Sequence, residues 1–154
     1  MKNFPFLIIC VFLTISCNQT PKQADMQPVN SSITGTGRDG VFIHITECYD
    51  DPHRVLMPLK MATMMAKDQD VIVYLDIHAV LLLLKDSKDI SFADFESAHT
   101  YIKELIDMKV GVYACPTCLQ IAGFQPEDLM EGVQIAQKDK FFNFTKGRII
   151  TLDY

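Results

Sequence analysis

The chain has 154 residues, of which 49% are hydrophobic, and it carries a formal net charge of −5 at pH 7. This length suits one globular domain with a modest core and excludes two such domains. The acidic balance argues against nucleic acid or anionic lipid as a binding partner.

The first part of the chain, residues 1–16, resembles a bacterial lipoprotein signal peptide. Phe4 to Ile15 is almost wholly apolar, which is typical of a signal-peptide core and too short to span a membrane. The segment ends in LTISC, with the small Ser16 directly before Cys17. We therefore expect lipidation of Cys17 and a lipid-anchored protein in the bacterial cell envelope, on a periplasmic or outer-membrane face. A plain secretory signal or an uncleaved anchor is the alternative.

The composition changes after this segment. Residues 17–38 are polar, rich in Gln, Asn, Ser, Thr and Pro, and show no apolar periodicity, which predicts a flexible tether. The globular domain is expected at residues 39–154. It contains Cys48, Cys115 and Cys118, an odd number, so export to an oxidising compartment allows at most one disulfide within the domain.

Four short apolar runs in the domain predict buried strands. They are rich in Val, Ile and Tyr and almost continuously apolar, as are strands covered on both faces. The runs are Val41–Thr46, Val71–Asp76, Val110–Ala114 and Arg148–Leu152.

Helical patterns lie between these runs. Asp51 and Pro52 are a start signal for the first helix, although Pro58 favours a start close before itself. The run after His78 predicts a short core helix, and Ser91 has capping-box spacing ahead of a longer helix. A last helix is expected near residues 138–145. The alternation predicts a single α/β domain with a mainly parallel sheet and helices on both faces, layered as in Rossmann or flavodoxin-like folds.

Reactive side chains follow the predicted strands. Cys48 follows the first strand, Asp76 and His78 follow the second, and Cys115 follows the third. Ligands of open α/β sheets bind outside the carboxyl ends of the strands, so these residues are candidate members of one site. Each also has a plainer interpretation: Cys48 suits a small buried position, for example, and a polar residue after a strand is often a helix cap.

The most informative motif is CPTC, Cys115 to Cys118. Pro116 suits the first position of a helix and Gly123 suits the residue just past its end. Cys115 would then lie at a helix N-terminus, where free N–H groups favour a thiolate, and Cys118 would lie one turn further on. A redox pair, half of a metal site and two structural thiols all use this spacing, but no second CxxC completes a zinc site.

The order of segments resembles the DsrE/DsrF-like family over Gly40 to Tyr154. The matching segments are GVFIHIT, DVIVYLDIHAVLLLLKD, MKVGVYACPTCLQIAGF, DLMEGV and KGRIITLDY. The resemblance implies an α/β fold that assembles into trimers or hexamers and carries sulfur as a persulfide on one cysteine. By its spacing to Gly123, the matching carrier is Cys115, and Cys118 is an extra cysteine found in some relatives.

The leading hypothesis is a membrane-tethered thiol protein that uses no cofactor. Cys115 would act as nucleophile and Cys118 as resolving thiol, in a sulfur carrier, sulfurtransferase or thiol–disulfide exchange protein whose donor and acceptor are unidentified. One alternative is a copper(I) or zinc site formed by Cys115, Cys118 and His78, with Cys48 as a further ligand. Another is a non-catalytic oligomeric interaction module.

Overall fold

The computed structural model describes residues 37–154, so the signal peptide and most of the tether expected from the sequence lie outside the described residues. Strands and helices alternate along the described chain. The strands are β1 (Gly40–Ile45), β2 (Asp70–Leu75), β3 (Gly111–Ala114), β4 (Gln134–Ile135) and β5 (Ile149–Asp153). The helices are α1 (Pro52–Met65), α2 (Ala98–Asp107), α3 (Pro116–Ile121) and α4 (Lys138–Phe142), with 3-10 turns at Ala79–Leu83 and Pro126–Asp128.

The strands form one five-stranded sheet in the order β4-β3-β2-β1-β5, and every neighbouring pair is parallel. This confirms the predicted α/β fold with a parallel sheet. Because all strands run the same way, the residues that follow β1, β2 and β3 meet at one edge of the sheet.

One face of the sheet carries the aliphatic core. Val41, Ile43 and Ile45 alternate along β1 and are buried together with side chains of α1 and α2. Burying a side chain of this size stabilises the fold by about 1.5–3 kcal/mol. The Asp51 carboxylate accepts a hydrogen bond from the Arg54 N–H at 3.2 Å and caps the start of α1, as its position in the sequence predicted.

The opposite face of the sheet carries aromatic rings. Phe42, Tyr74 and Tyr113 come from three neighbouring strands, and Phe141 of α4 packs its ring on all three, with centroid distances of 4.9–5.9 Å. Helices therefore lie on both faces, but α1 and α2 cover one face much more fully than the five-residue α4 covers the other.

One helix start differs from the prediction, and at another the start signal of Asp51 and Pro52 prevails over the start expected close before Pro58. The helix expected from Ser91 begins at Ala98 instead, because Ala93 adopts a left-handed φ of 48° and Ser97 supplies the cap, accepting a hydrogen bond from the Thr100 N–H. The first helix begins at Pro52, so Pro58 lies inside it. Tertiary packing on the buried side of α1 outweighs the backbone hydrogen bond that a proline cannot donate.

The apolar run after His78 forms the buried 3-10 turn Ala79–Leu83 rather than an α-helix. Within residues 37–154, no helix has both the length and the apolar character needed to span a bilayer.

Candidate functional site

The CPTC segment joins β3 to α3 at the carboxyl edge of the sheet. The Cys115 N–H donates to the Leu75 carbonyl of β2 at 3.0 Å, so the sheet pairing continues as far as this residue. Cys115 is the N-cap of α3 in an extended conformation, and Pro116 is the first helical residue. Gly123, with a φ of +85°, follows the end of the helix, where a left-handed residue closes the last turn. These local positions are the ones that the sequence predicted.

Both thiols of the motif are half-buried and free. The structure contains no disulfide among its described cysteines, which are Cys48, Cys115 and Cys118. Cys115 and Cys118 lie one turn of helix apart, and each affects the acidity of the other. Two free thiols at this spacing can exchange a bound sulfur atom or close a disulfide.

The surroundings lower the pKa of Cys115 below the ordinary value of a thiol. Burial opposes ionisation, but contacts with the Tyr74 hydroxyl, with the Cys118 N–H and thiol, and with the Thr117 N–H outweigh it. The Cys115 side chain makes no capping hydrogen bond at the start of α3, but each of these groups carries a donor that favours the ionised sulfur. Cys115 is therefore the thiol that ionises first.

The pKa of Cys118 is raised by the same arrangement. Burial is the main cause, followed by its hydrogen bond to Cys115 and by the negative charges of Cys115 and Asp76, while the Ile77 N–H acts in the opposite direction. The two thiols thus differ in acidity in the sense expected of a nucleophile and a resolving partner.

A row of polar and aromatic side chains crosses the sheet just inside this edge. Asp153, His44, Tyr74, Tyr113 and Gln134 pair in register across β5, β1, β2, β3 and β4. Tyr74 connects the row to the thiols through its contact with Cys115. Burial and the neighbouring sulfur raise the pKa of Tyr74, so its hydroxyl stays protonated and available as a donor.

His44 is enclosed by two carboxylates. Its Nδ1 lies 2.9 Å from Asp153 Oδ1 in a hydrogen bond, and its Nε2 lies 3.0 Å from Asp76 Oδ1. The second pair of atoms is close but not aligned as a hydrogen bond, and both atoms are buried. The His44 ring also stacks on Tyr74 at 5.5 Å between centroids. His44 therefore links the predicted candidate Asp76 to the tyrosine that faces Cys115.

Two predicted candidates are not among the groups that shift the pKa of either thiol of the pair. Cys48 is only 5% exposed, and burial, reinforced by the charge of Asp50, raises its pKa to about 11 even though the Tyr49 N–H acts in the opposite direction. His78 is exposed at the start of the 3-10 turn, where its side chain makes no capping hydrogen bond.

The metal hypothesis gains no support from this arrangement. Among residues 37–154, no three His, Cys, Asp or Glu side chains are placed to hold one metal ion. Cys118 and His78 share the wall of a surface pocket, but the expected third and fourth ligands do not join them there.

The interpretation of the sequence missed Tyr74, His44 and Ile77 as neighbours of the motif. Tyr74 and Asp76 are two positions apart, and side chains at this spacing lie on the same face of a strand. The sequence could therefore have predicted that Tyr74 lies on the same side as the candidate Asp76. The pairing of His44 with Asp153, 109 residues away, carried no local signal.

The fold and the site together define a class: a parallel α/β thiol protein with a dithiol at the carboxyl edge of its sheet. The chain belongs to the DsrE/DsrF-like family, whose characteristic sequence pattern matches residues 39–151. The search among curated proteins gave no significant match.

Solved structures share the fold. The ychN protein from E. coli aligns with a TM-score of 0.60 at 18% sequence identity, covering 74% of this chain and 99% of its own. MTH1491 from Methanobacterium thermoautotrophicum, a protein of unknown function, aligns with a TM-score of 0.52 at 24% identity, covering 73% of this chain and 98% of its own. At these identities the likeness establishes the fold alone.

Proposed function

We propose that this protein is a thiol relay. Cys115 accepts a sulfur atom from a persulfide or forms a mixed disulfide with a substrate, and Cys118 resolves that mixed disulfide. The observation that carries the proposal is the opposed acidity of two adjacent free thiols, with the pKa lowered at Cys115 and raised at Cys118. The nucleophile in thiol chemistry is the thiolate, so Cys115 attacks first.

Sulfur transfer from a persulfide donor needs no further reactant. The Cys115 thiolate attacks the outer sulfur of the donor R–S–SH, the donor's S–S bond breaks, and the thiolate RS⁻ leaves. Cys115 then carries the sulfur as a persulfide. An acceptor thiolate that attacks the outer sulfur removes it and restores the Cys115 thiolate.

Disulfide exchange uses the same pair. The Cys115 thiolate attacks a disulfide R–S–S–R, forming a mixed disulfide and releasing RS⁻. Cys118 then loses its proton and attacks the Cys115 sulfur, which forms the Cys115–Cys118 disulfide and releases the second RS⁻. The substrate disulfide is reduced by two electrons and the thiol pair is oxidised by two.

Intact-mass measurement distinguishes the two reactions. Treatment of the reduced protein with a persulfide donor should add the mass of one sulfur atom, and treatment with a small disulfide should remove the mass of two hydrogen atoms. Reductant should reverse both changes, and Cys115→Ser should prevent both. A wild-type protein that shows neither mass change would refute the proposed function.

We further propose that the protein acts from a membrane surface through lipidated Cys17. The LTISC segment supports this proposal. Cys17→Ser should move the protein from the membrane fraction to the soluble fraction or block signal processing. A variant that fractionates and migrates like the wild type would contradict it.

Assembly into a homo-oligomer, a trimer or a hexamer, is a third part of the proposal. The partly covered aromatic face supports it, as do Ile149 and Ile150, which are large exposed apolar residues on the edge strand β5. Light scattering on the protein at micromolar concentration should give a multiple of the chain mass, whereas a monomer would exclude this assembly.

A further inference from the structure

An apolar pocket opens directly beside the thiol pair. It has a volume of about 340 Å³ and is lined by Ile77, His78, Leu81, Cys118, Ile121 and Ala122. Cys118 is therefore part of its wall, and Cys115 lies one turn of helix away, so whatever enters the pocket lies close to the thiol pair.

Two isoleucines at this pocket are unusually exposed. Ile77 is 55% exposed and Ile121 is 80% exposed, although residues of this type are among those most often buried. An exposed apolar patch around a pocket is typical of a surface that binds another molecule.

The backbone at Ile77 supports the same conclusion. Its φ is +45°, in the left-handed region that a β-branched residue rarely adopts. Strain of this kind persists where the surroundings impose it, and it occurs most often at functional sites. At this strained position Ile77 both lines the pocket and places its N–H where it favours the ionised form of Cys118.

The chemistry of the wall selects the kind of occupant. None of the six lining residues is Lys, Arg, Asp or Glu, and the neighbouring Asp76 adds negative charge. This wall offers a small anionic thiol or an inorganic sulfur anion no Lys or Arg, whereas an apolar side chain finds aliphatic contacts on several sides.

The shape of the surface favours a polypeptide over a small molecule or a second copy of the chain. Ile121 lines the pocket and is nevertheless 80% exposed, so an occupant that covers its side chain must also contact the surface around the cavity. A second copy seated there would cover the thiols, and the proposed relay needs them accessible.

We propose that the pocket beside Cys118 docks a cysteine-containing segment of a partner protein by binding an apolar side chain next to the partner's reactive cysteine. This inference rests on the proposed function and specifies the substrate class of the same site. The partner's sulfur reacts with Cys115 as described above, while its apolar neighbour lies against Ile77, Leu81 and Ile121.

The test compares activated peptides. Acetyl-X-Cys-X-amide peptides with X either Leu or Ser are converted to mixed disulfides with 2-thiopyridine, and attack of the full-length protein on the peptide sulfur releases the chromophore 2-thiopyridone. For each peptide, the rate with the protein is divided by the rate with free N-acetylcysteinamide as the attacking thiol, which removes intrinsic differences between the peptides. We expect the Leu peptide to react about tenfold faster, as partial burial of one leucine implies.

A matched pair of variants locates the effect. Ile121→Ser should reduce the preference for Leu to about threefold or less, because the aliphatic contacts of Ile121 with the peptide are lost. Met64→Ser removes a large apolar side chain that is 54% exposed on α1, outside the pocket and outside the proposed assembly surface, and it should keep the full preference. Equal rates for both peptides, or the same loss in both variants, would overturn the inference.

Other occupants give distinct results. If Ile121→Ser slows the reaction with 2,2′-dithiodipyridine as much as the reaction with the Leu peptide, the pocket binds small molecules and the inference is wrong. If Ile121→Ser alone lowers the oligomeric mass in light scattering, a second copy fills the pocket and the inference is equally wrong. Release of 2-thiopyridone that persists in Cys115→Ser would refute the proposed function itself. Fast release that depends on Cys115 but shows no preference for Leu would refute only the docking.

Discussion

Cys48 and Cys115 follow β1 and β3, which lie on either side of β2 in the same sheet, but their surroundings shift their pKa values in opposite directions. Cys48 lies after β1, is 5% exposed, and has a pKa raised to about 11 by burial. At pH 7 only about one in ten thousand such thiols is ionised. Cys115 lies after β3, is half-buried, and has a lowered pKa. A position at the carboxyl edge therefore does not by itself make a thiol reactive.

The difference comes from the donors around each sulfur. Cys115 begins a helix whose Thr117 and Cys118 N–H groups favour its ionised sulfur, although its side chain makes no capping hydrogen bond, and the Tyr74 hydroxyl of the adjacent strand acts in the same direction. At Cys48 the Tyr49 N–H is a single opposing contribution that does not offset burial. Hydrogen bonds to the charged form lower a thiol's pKa, whereas burial without them raises it.

The strongest test of this contrast is Cys115→Ser. Rapid alkylation by iodoacetamide near neutral pH should disappear, leaving labelling at least about a hundredfold slower, because the remaining thiols are mostly protonated. Mass spectrometry of labelled peptides measures the change. A rapid alkylation phase of the same amplitude in this variant would contradict the difference in reactivity between Cys115 and the other thiols.

Replacing the partner thiol should change the fate of the product rather than the first reaction. Cys118→Ser should keep rapid alkylation but accumulate mixed disulfides with small thiols, because no second thiol remains to displace them. Intact-mass spectra after brief treatment with a small disulfide report the adduct. Equal adduct lifetimes in this variant and in the wild type would contradict the resolving role.

The contribution of the tyrosine should be smaller. Tyr74→Phe removes a hydroxyl that stabilises the Cys115 thiolate, and a hydrogen bond to a charged group is worth about 1.5 kcal/mol at its lower range, or about a tenfold rate difference. The pH profile of alkylation should move to higher pH, so the loss is largest below the wild-type pKa and vanishes where Cys115 is fully ionised in both proteins.

Tyr113→Phe is the matched control for this change. Tyr113 lies beside Tyr74 in the same row of the sheet, and burial raises its pKa without a contribution from either sulfur. Its variant should keep the wild-type profile. A similar shift in both variants would assign the effect to the aromatic face in general.

The least effect on reactivity is expected at Cys48. Cys48→Ala should leave the rapid alkylation unchanged, because the thiol is buried and protonated in the folded protein. It should lower the free energy of unfolding by about 1 kcal/mol, since a buried sulfur is replaced by a smaller group. Urea denaturation measures the second effect, and a change in labelling rate would instead place Cys48 in the relay.

The sequence predicted more of the fold than of the site. Continuous Val- and Ile-rich runs indicated the buried strands, and helical periodicity between them indicated parallel crossovers. The prediction failed at Ser91, where the cap chemistry of a sequence motif was present but the backbone turned away at Ala93. A capping pattern reports local preference, and contacts of the Asp89 carboxylate with the Ile90 and His99 N–H groups decide where the helix begins.

The sequence by itself determined the geometry around CPTC. Pro116 at the first helical position, Gly123 past the last, and a strand directly before Cys115 all follow from conformational preferences over a few residues. Only the tertiary structure decided which groups surround the two sulfurs. Tyr74, His44 and Asp153 meet because parallel strands far apart in sequence pair in one register. Ile77, whose backbone is left-handed, joins residues of the 3-10 turn and of α3 in the wall of one pocket. Such contacts depend on the packing of the whole sheet, and local sequence preferences do not encode them.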